Sequence, residues 1–343
     1  MDWHSIHVYY HDDNKDRLIL DAVRPLFKRL ASAASWTRHW RQGPHLRLTF
    51  RSDVDTTLPL AEEVVGGWLA EHPSTTSLDP DSLLPAHRLL AMREREQGPL
   101  TPWPPNNSLR VAEYDRRVAV LGNEDMADLL ADFYADTTPM SFAMVEAEKR
   151  LMLAFDLVVA TAHTQTTGIQ HGFVALRSHA EAFLNGHPDS GKLRPRWDEH
   201  YQRHADSLAA RLRGVVATLD GDHEAVPFVR DWARVLGTYR ARAENLLAEG
   251  RFFMPTANFS PESGLAQNSR FHRALVAGPR WSEMGSSTTF ALFRLMANYT
   301  YLQLTRLGVT PDERFLLCHL AANAVEDQYG VSALDLVTKG VPS

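Results

Sequence analysis

Hydrophobic positions change their spacing along the chain, first by twos, then by threes and fours. Trp3 to Tyr10 (WHSIHVYY) is rich in aromatic and β-branched residues and reads as a strand. From Lys15 to Leu30 the period becomes helical, with Leu18, Ala22, Leu26, Phe27 and Leu30 on one face. Ser35 to Arg51 reads as strand, turn, strand: Trp36, His39 and Trp40 lead into Gln42-Gly43-Pro44, which is turn chemistry. Beyond the turn Leu46, Leu48 and Phe50 fall on one face, and His45, Arg47, Thr49 and Arg51 on the other. Leu58 to Glu71 is helical again. Thr101 to Asn107 is a stiff Pro-rich loop, and Leu109 to Tyr114 alternates and can return to the sheet. Strand–helix–strand–strand–helix suggests a small sheet covered by helices on one side.

After about residue 120 the texture is helical. Asn123 can cap a helix running to Asp136. Thr138 caps the next, with Pro139 at its first position, running to about Ala162. Further helices fit Gly172 to Leu184, Trp197 to Leu219, Glu224 to Glu249, Gln267 to Val276 and Thr288 to Leu307, and Thr310-Pro311-Asp312-Glu313 is a capping box with Pro at its first position. Arg251 to Gly264 (RFFMPTANFSPESG) is an aromatic-rich loop, a candidate lid or substrate-facing segment. The expected fold class is α+β. A small N-terminal antiparallel or mixed sheet with helices (1–120) is followed by a mostly α-helical remainder (121–343), in one unit.

Composition narrows the classes. The 343 residues are 44% hydrophobic and 23% charged, with a formal net charge of −6, which argues against non-specific nucleic-acid binding. Charge is unevenly placed: Ala22 to Ser52 holds no acid, while Arg24, Lys28, Arg29, Arg38, Arg41, Arg47 and Arg51 are all basic. Such a region suits a small acidic ligand such as an acidic peptide. Cys318 is the single cysteine, so no intramolecular disulfide forms and a reducing compartment is expected. The N-terminus has no signal-peptide pattern and no run of about 18 apolar residues exists. The expectation is a cytoplasmic protein without a membrane partner.

The chemistry is then a matter of elimination. The chain has no Gly-x-Gly-x-x-Gly, no phosphate loop and no Gly-x-Ser-x-Gly elbow. His200 and His204 stand four apart, but without an intervening Glu they read as solvated helix surface rather than a zinc pair. His163, His171, His179 and His187 recur at a spacing of eight, which is neither helical nor metal-like and is treated as chance. What is left is His, Arg, Tyr and Ser. The polar face of the hairpin aligns His45 with Arg47 and Arg51; like charges in a row repel, but the row suits an anionic or carbonyl-rich partner. It equally fits an ordinary hairpin with a solvated basic face. Gly285-Ser286-Ser287-Thr288-Thr289 can cap the helix it precedes, or its hydroxyls and free N–H groups can polarise a carbonyl. Tyr299 and Tyr301 further along are core residues or proton donors, and Arg306 is either a ligand contact or a partner of Glu313 or Glu326.

Two stretches carry a resemblance. His39 to Phe50 (HWRQGPHLRLTF) resembles the signature strand of the lanthipeptide dehydratase elimination-domain family, which also contains stand-alone thiopeptide enzymes that build a central pyridine ring. Tyr299 to Glu313 (YTYLQLTRLGVTPDE) is similar to that family's closing helix-turn-helix, where a His, an Asn-Arg-Leu and a following Glu are usual. Between the two the match is in length and helical texture. In ordinary members this domain removes glutamate from glutamylated Ser or Thr, using arginines and a helix His. Here Tyr301 stands at that His position and Thr305 replaces the Asn. No segment reads as the large glutamylation domain. These departures point to the thiopeptide branch, whose members act alone.

The resemblance therefore implies a formal [4+2] aza-cycloaddition between two dehydroalanines of a thiazole-bearing precursor peptide. Loss of water and of the leader peptide completes a pyridine-centred macrocycle, with no metal or cofactor. Its implied catalytic residues are Tyr301, Ser287, Ser286, Tyr299, His45 and Arg47, gathered where the hairpin face meets the helix carrying Tyr301. Substrate contacts are Arg24, Lys28, Arg29, Arg38, Trp40, Arg41, Arg51, Phe253 and Arg306. A phenol, with an ordinary pKa near 10, stays a proton donor at neutral pH. The implied partners are the precursor peptide, leader and modified core, and other biosynthetic enzymes. Two other readings are a glutamate-eliminating lyase of a split dehydratase and a non-catalytic leader-binding partner protein.

Overall fold

Alternation in the first third of the chain produces four strands: β1 (His4–Tyr9), β2 (Ala34–His39), β3 (His45–Phe50) and β4 (Ser108–Ala112). The computed structural model describes residues 3–30, 32–221, 225–255, 264–278 and 281–339. They divide into two compact units, Met1–Glu148 with Thr305–Gly308, and Lys149–Leu304 with Val309–Ser343. Among the described residues no strand follows β4, so the α+β expectation holds.

In the first unit the sheet order is β2-β3-β1-β4 and every pairing is antiparallel. Ile6 lies opposite Leu48 and Val8 opposite Leu46, so the apolar residues of β1 and β3 share one face. Ile6, Val8, Leu46, Leu48 and Phe50 are fully buried there. Phe27 packs edge-on against Phe50 at 5.3 Å and Trp36 stacks on Phe142 at 4.3 Å. Phe27 comes from a helical run of Asp16–Leu18, a π-helical Ile19–Val23 and Arg24–Leu30. Within the π segment Ile19, Ala22 and Val23 are all buried, the i, i+3, i+4 positions of one helix face.

The other face was expected to be open to solvent, and it is covered. Ser5, His7, Tyr9, His45 and Thr49 are buried. A helix the sequence pattern did not reveal, Pro80–Glu94, reaches this face together with the loop after it. Trp40 packs beside His87 at 5.0 Å and donates its indole N–H to Glu94 at 2.9 Å. The helix starts at Asp79, whose side chain accepts from the Asp81 N–H, and ends at Arg95 in the left-handed region. It buries no residue fully, so hydrophobic periodicity could not reveal it.

The helix expected from Thr138 to about Ala162 is two helices, Thr138–Glu146 and Arg150–Thr164. Glu148, at φ 54°, turns the chain between them where the first unit gives way to the second. Thr138 is also one position too late to be the cap: it is the first helical residue, and its hydroxyl bonds back to the Tyr134 carbonyl.

The second unit is built from helices that include Arg150–Thr164, Ile169–Gly186, Ser190–Asp220, Val229–Ala248, Arg270–Ala277, Thr288–Arg306 and Pro311–Tyr329. The capping box is present: Glu313 N–H donates to the Thr310 hydroxyl and Thr310 N–H to the Glu313 carboxylate. Inside, Trp232 donates to the Thr161 hydroxyl at 3.1 Å, and Thr161 shares a hydrogen bond with Thr300 at 2.8 Å. Asp156, fully buried, is paired with Arg211. Among the described residues no helix is long and apolar enough to cross a membrane.

Candidate active site

His45 and Arg47 sit side by side on β3, and the sheet surrounds them with further polar groups. Cross-strand register sets His7 opposite Arg47, and His39 and Tyr9 opposite His45. The His7 and His45 rings stack at 4.8 Å, and those of His39 and His45 lie 5.4 Å apart. What holds so many donors together is one carboxylate outside the basic segment. Glu96, its side chain 1% exposed, receives Arg47 at 3.0 Å, Arg41 at 3.5 Å, His39 at 3.5 Å and Arg117 at 3.4 Å. Burial lowers His39 to about 4, with Arg47 and Arg41 acting in the same direction. His39 is therefore neutral at physiological pH; burial alone would raise Glu96, but the hydrogen bond from His39, and then Arg47, hold it ionised, well below the usual carboxylate range. Burial also pushes His7 down to about 3 and His45 well below its ordinary value. His45 is 1% exposed and bonded to the Gly43 carbonyl at 2.8 Å. It is a packed, neutral imidazole.

Three more basic residues of the acid-free segment, Arg24, Arg29 and Arg38, find acids brought from elsewhere. Arg24 pairs with Glu146 at 3.2 Å, Arg29 with Glu63 at 2.8 Å and Arg38 with Asp16 at 2.6 Å. Lys28 and Arg51 are exposed and have no ion pair among the described residues. Arg38 further donates to the Arg306 carbonyl at 3.0 Å. Arg306, expected as a substrate contact, is itself fully buried. Its guanidinium donates to the Thr137 and Thr138 hydroxyls at 2.8 and 2.9 Å and lies over the Trp36 ring at 4.5 Å. Desolvation lowers its pKa to about 9. Glu313 pairs with Arg150, and Glu326 with Arg177.

In the second unit Tyr301 is the centre of a cluster. Its hydroxyl bonds to Nδ1 of His179, on the Ile169–Gly186 helix, and to Sγ of Cys318 at 3.3 Å. Arg314 lays its guanidinium over the Tyr301 ring at 4.8 Å and over Phe315 at 4.9 Å. Arg314 has no carboxylate partner among the described residues, and its Nε is buried without a hydrogen bond. Tyr301, His179 and Arg314 are each half-buried. Burial, then Cys318, raises the Tyr301 phenol well above its ordinary pKa, so the unperturbed value expected for it is corrected upward. Burial lowers His179 to about 4 and raises Cys318 to about 11. All three are uncharged at neutral pH, and Arg314 brings a cation to the Tyr301 ring. A cavity of about 10 Å³ beside them, lined partly by His179, Thr161, Thr300 and Tyr301, admits one water-sized group.

The remaining candidates are spread out. Tyr299 is 2% exposed and packs against Tyr239 at 6.0 Å, on a different side of the helix from Tyr301, so it is a core residue. Ser286 is exposed, its hydroxyl turned back to the carbonyls of Ser282 and Glu283. Ser287 caps the helix that carries Tyr301, accepting from the Phe290 N–H at 3.2 Å. The two residues are about four turns, roughly 20 Å, apart along that helix, so they do not address the same atom. Phe253 is 42% exposed, in keeping with a substrate-facing loop, but 256–263 of that loop lie outside the described residues. Among the described residues no three His, Cys, Asp or Glu side chains are placed to hold a metal. Sequence reasoning missed Glu96, Arg314 and His179. His179 falls in a histidine spacing of eight that carries no structural signal, and its partner lies 122 residues away.

Residues 3–325 match the family described as lantibiotic biosynthesis dehydratase C-terminal, and the chain belongs to it. Among solved structures the chain is similar to a pyridine synthase, TbtD, from thiomuracin biosynthesis. The two are 38% identical, with a TM-score of 0.78 over 97% of this chain and 100% of that one. TsrL, 23% identical with a TM-score of 0.72 over 100% and 99% of the two chains, shares the fold. No curated protein matches.

Proposed function

We propose that the chain is a thiopeptide pyridine synthase. It joins two dehydroalanines of a thiazole-bearing precursor peptide by a formal [4+2] aza-cycloaddition. The observation that carries this is the end-to-end similarity, at 38% identity, to a pyridine synthase. One backbone amide takes its iminol form and, with the first alkene, makes a 2-azadiene. Two carbon–carbon bonds form to the second alkene. Loss of water and of the leader as a carboxamide then leaves an aromatic ring. Holding both alkenes in contact supplies up to ~7–11 kcal/mol of the barrier. Tyr301 donates the proton with which water leaves, and Arg314 stabilises charge on the amide oxygen. A peptide of six extended residues spans about 20 Å, so one substrate can touch both Tyr301 and Ser287. His45 and Arg47, held by the Glu96 cluster, act by shaping the sheet.

The protein works without a cofactor, in the cytoplasm, after other biosynthetic enzymes have installed the azoles and alkenes. Its leader site is the surface with Lys28 and Arg51, where an acidic leader also competes for the half-buried Arg24 and the exposed Arg29. The test is incubation of pure protein with a dehydrated, thiazole-bearing peptide, read by mass spectrometry. The proposal expects a macrocycle short of one water and of the leader. Glutamate elimination, or binding without conversion, would refute it.

A further inference from the structure

We infer that His179 is a positioning residue that fixes the Tyr301 hydroxyl for proton transfer. The inference rests on Tyr301 as the proton donor of the proposed reaction. A phenol turns about its C–O bond, so delivering its proton in one direction requires another group to occupy the oxygen. Among the groups that meet it are His179 Nδ1 and Cys318 Sγ, the latter at 3.3 Å, and a thiol is the weaker partner of these two. The His179 and Tyr301 rings are locked edge to face at 5.3 Å. Among the described residues the groups that act on His179 are Tyr301 and Arg294 from one helix, Arg314 from a second and His272 from a third. None is a carboxylate, and the imidazole stays neutral above about pH 4.

A neutral imidazole with its proton on Nδ1 donates to the phenol oxygen. That arrangement fixes the phenol oxygen from one side and stabilises it as its proton departs. The leaving hydroxyl takes the Tyr301 proton and departs as water. The ring gives up one proton as it becomes unsaturated, and that proton returns to the Tyr301 oxygen, so the exchange balances.

The test is a double-mutant cycle on the full chain, with single-turnover cyclisation rate and peptide affinity measured separately. Tyr301→Phe should slow cyclisation ~10²-fold and His179→Leu at least ~10-fold, both with nearly unchanged affinity. His179→Asn, which can place an amide near the Nδ1 position, should recover most of the rate. In the Tyr301→Phe background His179→Leu should cost nothing more, because a positioning residue acts only through its partner. Additive losses, equal defects in the Leu and Asn variants, or a full rate in His179→Leu would overturn the inference alone. A full rate in Tyr301→Phe would overturn the assignment of Tyr301 and the inference with it.

Discussion

Replacing His7 by Asn should change how stability depends on pH. Folded His7 accepts a proton only near pH 3, against 6.5 when free of its surroundings. Between those values the unfolded chain binds one more proton than the native one. A histidine with a lowered folded pKa therefore contributes its full stability above about pH 6.5 and loses it as pH falls toward the folded value. The slope is about 1.4 kcal/mol per pH unit, so acidifying from pH 7 to 5 costs about 2 kcal/mol through His7 alone. His39, lowered to about 4, adds a similar loss over the same window, and His45 acts in the same direction. Glu96 does not contribute there: its folded carboxyl sits below its ordinary value, so its stabilisation persists down to about pH 4 and is lost only below. Urea unfolding of wild type and His7→Asn, followed by tryptophan fluorescence at pH 7, 6 and 5, reads the difference. The gap between the two should shift by about 2 kcal/mol in the variant's favour on acidification, near 1 M in midpoint for a urea slope of ~2 kcal/mol/M. Parallel stability curves, or a His7 resonance titrating near pH 6.5, would refute the buried, neutral assignment.

Arg306→Ala should destabilise by about 2–3 kcal/mol, since it removes hydrogen bonds to Thr137 and Thr138 and the contact over Trp36; thermal melting checks this, and activity per folded molecule should not change. Ser287→Ala should cost about 1 kcal/mol through the lost cap, and a cyclisation defect without change in peptide affinity would add Ser287 to the chemistry. Lys28→Ala with Arg51→Ala should weaken leader binding several-fold at low salt, with the difference fading at high salt. An equal, salt-independent affinity in titration would place the leader site elsewhere.

Local signals were legible wherever short-range physics decides. Alternation on β3 placed Leu46, Leu48 and Phe50 inward, and Asn123 and the Thr310 box cap the helices expected of them. The π segments Ile19–Val23 and Glu62–Gly66 and the break at Glu148 have no such signal, because tertiary packing sets them. The acid-free segment was read as open to a ligand because its acids, Asp16, Glu63, Glu96 and Glu146, lie outside it in sequence. Tyr301 was visible through a resemblance. His179 and Arg314 were not, because nothing in the spacing of residues 179, 301 and 314 predicts that they meet.

The central claim is tested most directly by the fate of the leader. A precursor peptide with two dehydroalanines and its thiazoles in place, incubated with the protein, should yield a pyridine macrocycle and a leader ending in a carboxamide, resolved by high-resolution mass spectrometry. A leader released as a free carboxylate, or a peptide returned unchanged by well-folded protein, would contradict the account.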